Sequence, residues 1–207
     1  MTENNEDSAA DIAWMRRLAE EGSEAPIQGA SILMAAGLIF GIASLVFWAE
    51  ITGLFESPAP VFGISWLVAT LVFLLCVAVS VGRKRSSGRV VTAANRAFGT
   101  VWAAVGMGIF ALFAALMANE YRSASSEGFS SFWLIPSIVM VFYGLGWAVT
   151  SAMTRSRPLW FLSVASFVAA PLMALLSGSP DQYLAYAAAL FLLMALPGWM
   201  LMRRARA

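Results

Sequence analysis

Six runs of about twenty residues, each free of Asp, Glu, Lys and Arg in its interior, set the terms on which this chain can fold. They lie approximately at Gly29 to Ala49, Val61 to Gly82, Phe98 to Ala118, Phe132 to Met153, Leu159 to Ser177 and Tyr183 to Met202. The hydrocarbon core of a bilayer is about 30 Å thick, and roughly 20 apolar residues of helix cross it. A spanning segment must satisfy its own backbone hydrogen bonds, which a helix does within a single run. The whole chain has 207 residues, of which 60% are hydrophobic and 12% charged, with a mean hydropathy of +0.76. A soluble domain carries about 45–50% apolar and about 25% charged residues, so the apolar excess needs lipid. The expected fold is all-α, a polytopic transmembrane helical bundle of six spans. The fifth run is the shortest, and Pro171 within it is expected to kink the helix.

The basic residues fix the expected orientation. Arg16 and Arg17 precede the first run; Arg83, Lys84, Arg85, Arg89 and Arg96 lie between the second and third; Arg155 and Arg157 lie between the fourth and fifth; Arg203, Arg204 and Arg206 follow the sixth. If the runs alternate across the membrane, all of these share one side and only Arg122 falls on the other, among Glu50, Glu56, Glu120, Glu127 and Asp181. The positive-inside rule makes the basic side cytoplasmic. The chain therefore divides into a cytoplasmic tail over 1–28, a six-helix membrane domain over 29–202 and a short basic cytoplasmic tail over 203–207. The expected location is the cell (inner or plasma) membrane. Trp48, Trp160, Trp199, Tyr121 and Tyr183 fall near expected interfaces, where amphipathic rings prefer to sit.

The first tail has its own pattern. Ser8 with Asp11 resembles a capping box, and an amphipathic helix over about 8–22 would follow, ending before Pro26. Ile12, Trp14, Met15, Leu18 and Ala19 share one arc, while Arg16–Glu20 and Arg17–Glu21 pair at i,i+4 on the other. Such a helix either rests in the inner interface or docks a protein partner. The tail lacks the basic, apolar and small-residue zones of a signal peptide, so it is expected to be retained. The segment Asp11-Ile12-Ala13-Trp14-Met15-Arg16-Arg17-Leu18-Ala19-Glu20-Glu21-Gly22, with the Gly-rich first run after it, resembles the start of bacterial multi-pass membrane proteins that have no assigned activity. That resemblance covers about the first quarter of the chain and implies membrane residence, with no site residues to carry over.

Within the runs, small residues four apart mark candidate helix-packing faces: Gly37 and Gly41 in the first, Ala104 and Gly108 in the third. Close backbone approach at such positions drives packing in lipid, either within the chain or in a homo-oligomer. A candidate polar face on the fourth run joins Tyr143, Trp147, Thr150 and Ser151. It would line a cavity if Pro136 loosened the helix and freed a carbonyl; otherwise its hydroxyls bond to helices. Arg83, Lys84, Arg85 and Arg89 form a cluster that serves as the topogenic signal and can attract anionic headgroups. The acidic rim of Glu50, Glu56 and Glu120 reads either as solvated loop charge or as a lure for cations.

The absences decide the function classes. Ion-driven transporters place ionisable residues inside the membrane, and none lies within these runs. There is no histidine, and Cys76 is the single cysteine. No catalytic pair, metal site or cofactor site can be assembled from such a set. A net charge of +1 gives no field for nucleic acid. The expectation is a non-enzymatic accessory, scaffolding or regulatory membrane component, with no catalytic residue, metal or cofactor, whose partner is the lipid bilayer and, through the amino-terminal helix, a protein. The alternative is a small-molecule permease or channel-like protein without ionisable intramembrane residues.

Overall fold

A computed structural model describes Trp14 and residues 29–54, 64–86, 93–123 and 130–204. Six helices in it are long and apolar enough to cross a bilayer: Ala30–Ile51, Ile64–Arg83, Asn95–Asn119, Phe132–Thr154, Arg157–Leu175 and Asp181–Arg203. The chain is an all-α, multi-pass membrane protein. The expected amphipathic helix over about 8–22 lies outside the described residues apart from Trp14, which is helical and exposed.

The helices are α1 (Ala30–Ile51), α2 (Ile64–Ser86), α3 (Ala93–Ser123), α4 (Ile135–Thr154) and α5 (Arg157–Leu175). The sixth span is made of α6 (Asp181–Leu190), a π-helical turn (Phe191–Ala195) and α7 (Leu196–Arg204), with a 3-10 turn (Ser130–Leu134) leading into α4. A π turn inserts one extra residue into a helix and is often kept where function or packing demands it. Pro136 stands in the first turn of α4. There its missing N–H is one that no carbonyl needs, so it starts the helix rather than loosening it. Pro171 lies inside α5, which continues to Leu175.

Contacts establish the helix directions. Phe47 of α1 stacks edge-on against Trp66 of α2, and Phe40 meets Phe73, so these two run antiparallel. Phe47 also meets Tyr183, and Gly41 the Phe191 ring, which makes α1 antiparallel to the sixth span. Trp133 pairs with Tyr183, and Trp147 with Leu193, so α4 runs parallel to it. On α3, Trp102 faces Trp147 and Gly108 faces Phe142, again antiparallel. The hydroxyl of Ser137 donates to the Ala170 carbonyl (2.7 Å) and that of Ser163 to Gly144 (2.8 Å), closing α4 and α5 into an antiparallel hairpin. Together these pairings make every successive span reverse direction. The α2–α3, α4–α5 and α7 ends, with Arg83, Arg96, Arg155, Arg157 and Arg203, thus share one end of the bundle.

The core sits among α1, α4, α5 and the sixth span, with Phe98 and Val105 of α3 closing its side, and Met140, Trp147, Leu190 and Met194 are essentially inaccessible. In the membrane windows of α1 and α4, 44% and 50% of residues are buried, against 6% in each of α2 and α3. The outer two helices attach mainly along one neighbour each, α2 on α1 and α3 on α4, and Leu71, Leu75, Met107 and Phe110 stay exposed among the described residues.

Candidate functional site

The polar face of α4 points into the core: Tyr143, Trp147, Thr150 and Ser151 are all buried. Its hydrogen bonds run to backbone. Thr150 Oγ1 donates to the Gly146 carbonyl (2.7 Å) and Ser151 Oγ to that of Ala148 (2.8 Å), both within α4. Hydroxyls bonded back in this way do not demand a ligand. Tyr143 and Trp147 instead build an aromatic contact with Trp102 of α3, at centroid distances of 6.2 and 5.0 Å.

Trp147 also makes the one bond that explains the sixth span. Pro197 has no N–H to return to the carbonyl of Leu193 four residues before it. The indole Nε1 of Trp147 donates to that carbonyl at 3.1 Å. The freed carbonyl expected from Pro136 therefore belongs to Pro197, and a neighbouring helix satisfies it. On the other side of the π turn, Gly37 leaves room for backbone. A Cβ there would collide with the Ala195 nitrogen and lie 2.8 Å from the Leu190 carbonyl oxygen. Gly198, which sequence spacing did not single out, does the same job one turn further on: a Cβ there would lie 2.6 Å from the Met34 nitrogen and 2.8 Å from the Ala30 oxygen. Gly41 receives the ring of Phe191 and Gly108 that of Phe142, whereas Ala104 is exposed on the outer side of α3.

At the opposite end of the core, Gln182 is fully buried. Its Nε2 donates to the carbonyls of Trp133 (2.7 Å) and Met173 (2.9 Å), tying the entry of α4 and the last turn of α5 to the start of α6. Its Oε1, like Nε1 of Trp102, has no hydrogen-bond partner among the described residues. These two atoms do not share a site. Trp102 packs on Trp147, whose partner Leu193 is about 16 Å along the helix axis from Gln182. The residue that does the tying stands just outside the run expected to begin at Tyr183. The signal for it is a register: Gln182, Tyr186 and Ala189 fall on one face at i, i+4 and i+7.

The basic end of the bundle holds an open cleft of about 520 Å³ between α4 and α5. Arg155, Ser156 and Arg157 line its mouth, and Trp160, Val164 and Phe167 its side. Arg155 ends α4 in the left-handed region (φ 49°, ψ 33°), the sole non-glycine residue with positive φ among those described. Glycine usually takes this place at a helix end because a Cβ is strained there. Ser156 begins α5 in extended geometry without a side-chain cap bond. Ser151 and Ser163 also border the cleft, but their hydroxyls are committed to carbonyls.

Of the expected headgroup cluster, Arg83 is exposed at the end of α2, which continues through Lys84 and Arg85; Arg89 lies outside the described residues. Across the membrane end, Arg203 covers the Trp199 ring at 4.2 Å from its centroid, a cation–π contact at the expected interface. Comparison with protein-family models, with curated proteins and with solved structures returns no match to this chain.

Proposed function

We propose that this protein is a non-enzymatic accessory or scaffolding component of a membrane, acting through intramembrane helix faces and its amino-terminal segment. The observation that carries the reading is how the interior polar groups are used. Thr150, Ser151 and Ser166 bond to carbonyls of their own helices, and Ser163 and the Trp147 indole to those of neighbouring helices, so these groups are committed within the bundle. At the same time α2 and α3 keep long apolar faces for a neighbour. Packing surfaces of this kind recognise other helices through shape and close approach. On this reading the membrane is the cell (inner or plasma) membrane, and the basic residues collected at one end of an alternating bundle support cytoplasmic termini.

The test is capture of partners. A photo-crosslinking residue at Leu71 on α2 or Phe110 on α3, both outward, should yield a discrete protein adduct in cells. Purification in mild detergent should bring the same partner, and removing residues 1–24 should release it if the tail docks. Lipid adducts alone at both positions, with no co-purifying protein, would refute the accessory role. Sidedness is read separately in a Cys76→Ala background. A cysteine at Ser125 should react with an impermeant maleimide in intact cells and one at Ser86 should not; the reverse would overturn the orientation.

A further inference from the structure

We propose that the cleft at the base of the α4–α5 hairpin binds one anionic phospholipid, its phosphate between Arg155 and Arg157 and an acyl chain along Trp160, Val164 and Phe167. The lining changes character along its length in the way such a molecule does. Arg155, Ser156 and Arg157 line the mouth, and the Ser156 side chain makes no cap bond. Below them, positions 160, 164 and 167 follow one face of α5. Each of these three side chains is between 38% and 54% exposed, which opens the slot sideways to the acyl region. No acidic residue lines the cleft, and neither arginine has an ion-pair partner among the described residues, so their charge is available to an anion. Guanidinium groups pair with phosphate through two parallel hydrogen bonds.

The cleft also sits at the right depth. The turn between two spans marks the end of the hydrocarbon, where headgroups lie. Its volume of about 520 Å³ takes a headgroup and the upper part of one chain, leaving the second chain in the bilayer. The apolar wall is what commits the site to a lipid rather than to a soluble phosphate. The backbone adds a further argument: an arginine held where glycine is the relaxed choice makes its side chain, rather than its backbone, the reason for the residue. The inference needs only membrane residence and is independent of the accessory role.

The full-length protein in mild detergent, titrated with palmitoyl-oleoyl phosphatidylglycerol and followed by native mass spectrometry, should take up one lipid ahead of all others. Palmitoyl-oleoyl phosphatidylcholine should show no such first event. Arg155→Gln with Arg157→Gln should weaken it about thirtyfold, the scale expected for two basic residues at a membrane surface. Arg83→Gln with Arg96→Gln, the same charge removed at the same end of the bundle, should leave it in place. Val164→Trp should weaken it without any change of charge. Arg155→Gly separates folding from binding, because it relaxes the left-handed backbone: the variant should stay folded and still bind more weakly. Equal loss in the two double variants, absence of a preference for the anionic lipid, or uptake of soluble glycerol phosphate to the same extent would each overturn the proposal. So would loss of lipid only in variants that also unfold.

Discussion

Replacing Trp147 by Phe tests whether the indole truly completes the sixth span. The variant keeps most of the ring volume and removes the donor that reaches the Leu193 carbonyl. An unpaired buried carbonyl costs roughly 1–3 kcal/mol, and interhelical hydrogen bonds in membranes average about 0.6 kcal/mol with a maximum near 1.7. The vacated space adds on the order of 1 kcal/mol. A loss of about 2–3 kcal/mol is therefore expected. The decisive step is to repeat the change in a Pro197→Ala background. An alanine at 197 restores the backbone N–H that can bond to Leu193 within the helix, so Trp147→Phe should then lose only its packing part, about 1 kcal/mol. The two substitutions should couple by about 1–2 kcal/mol in a double-mutant cycle. The measurement is equilibrium unfolding in mixed micelles with increasing SDS, followed by far-ultraviolet circular dichroism, which does not depend on the tryptophan removed. Additivity within about 0.5 kcal/mol would show that the indole and the proline do not act on one carbonyl, and the reading of the sixth span would fall.

Other substitutions probe the same interior. Gly37→Val and Gly198→Val should each destabilise by about 2 kcal/mol or more in the same unfolding assay, because the new side chain meets backbone that cannot step aside. Gly99→Ala, where a Cβ meets nothing within 4 Å, should be neutral or stabilise by up to about 1 kcal/mol; equal effects at all three sites would refute the close-approach argument. Gln182→Leu removes both donors to Trp133 and Met173 and should cost about 1–3 kcal/mol. It should also raise amide exchange at the start of α4, and unchanged exchange there would deny Gln182 its tying role.

The fold was readable because lipid enforces it. A run of apolar residues has no option inside a bilayer but to close its own hydrogen bonds, so length and the lack of charge defined Ala30–Ile51 and its five successors closely. Packing was less readable, since in lipid it depends on shape rather than on polarity, and shape is pairwise. Gly37 and Gly41 announced themselves by spacing, but Gly198 faces Met34 and Ala30 without any repeat on its own helix. Ala104 has the spacing and an exposed surface. The polar face of α4 was visible as a pattern, while its use was not: Thr150 and Ser151 turn back to their own helix, and Trp147 reaches the carbonyl of Leu193, 46 residues further along and exposed by Pro197. The cleft was hidden for another reason. Arg155 and Arg157 read as topogenic charge, and only the hairpin places them above Trp160, Val164 and Phe167.

The two poorly buried helices bear on where the proposed partner would dock. Apolar burial does not press helices together in lipid, because lipid tails are as apolar as the side chains. A helix therefore stays at its neighbour only through shape and specific contacts. The central spans have these in number: the Gly37 and Gly198 approaches, the Ser137 and Ser163 bonds, and Gln182. On α2 the rings of Trp66 and Phe73 meet Phe40 and Phe47 of α1, and Trp66 also meets Tyr183 of the sixth span from that same inner side. On α3 Trp102 and Gly108 face α4 alone. Each outer helix thus has one committed side, and the remaining sides carry Leu67, Leu71 and Leu75, or Met107 and Phe110, which stay exposed among the described residues. The outward sides of these flanks can exchange lipid for protein with little change in the core. That asymmetry directs the search for a partner to α2 and α3 before α1 or the sixth span.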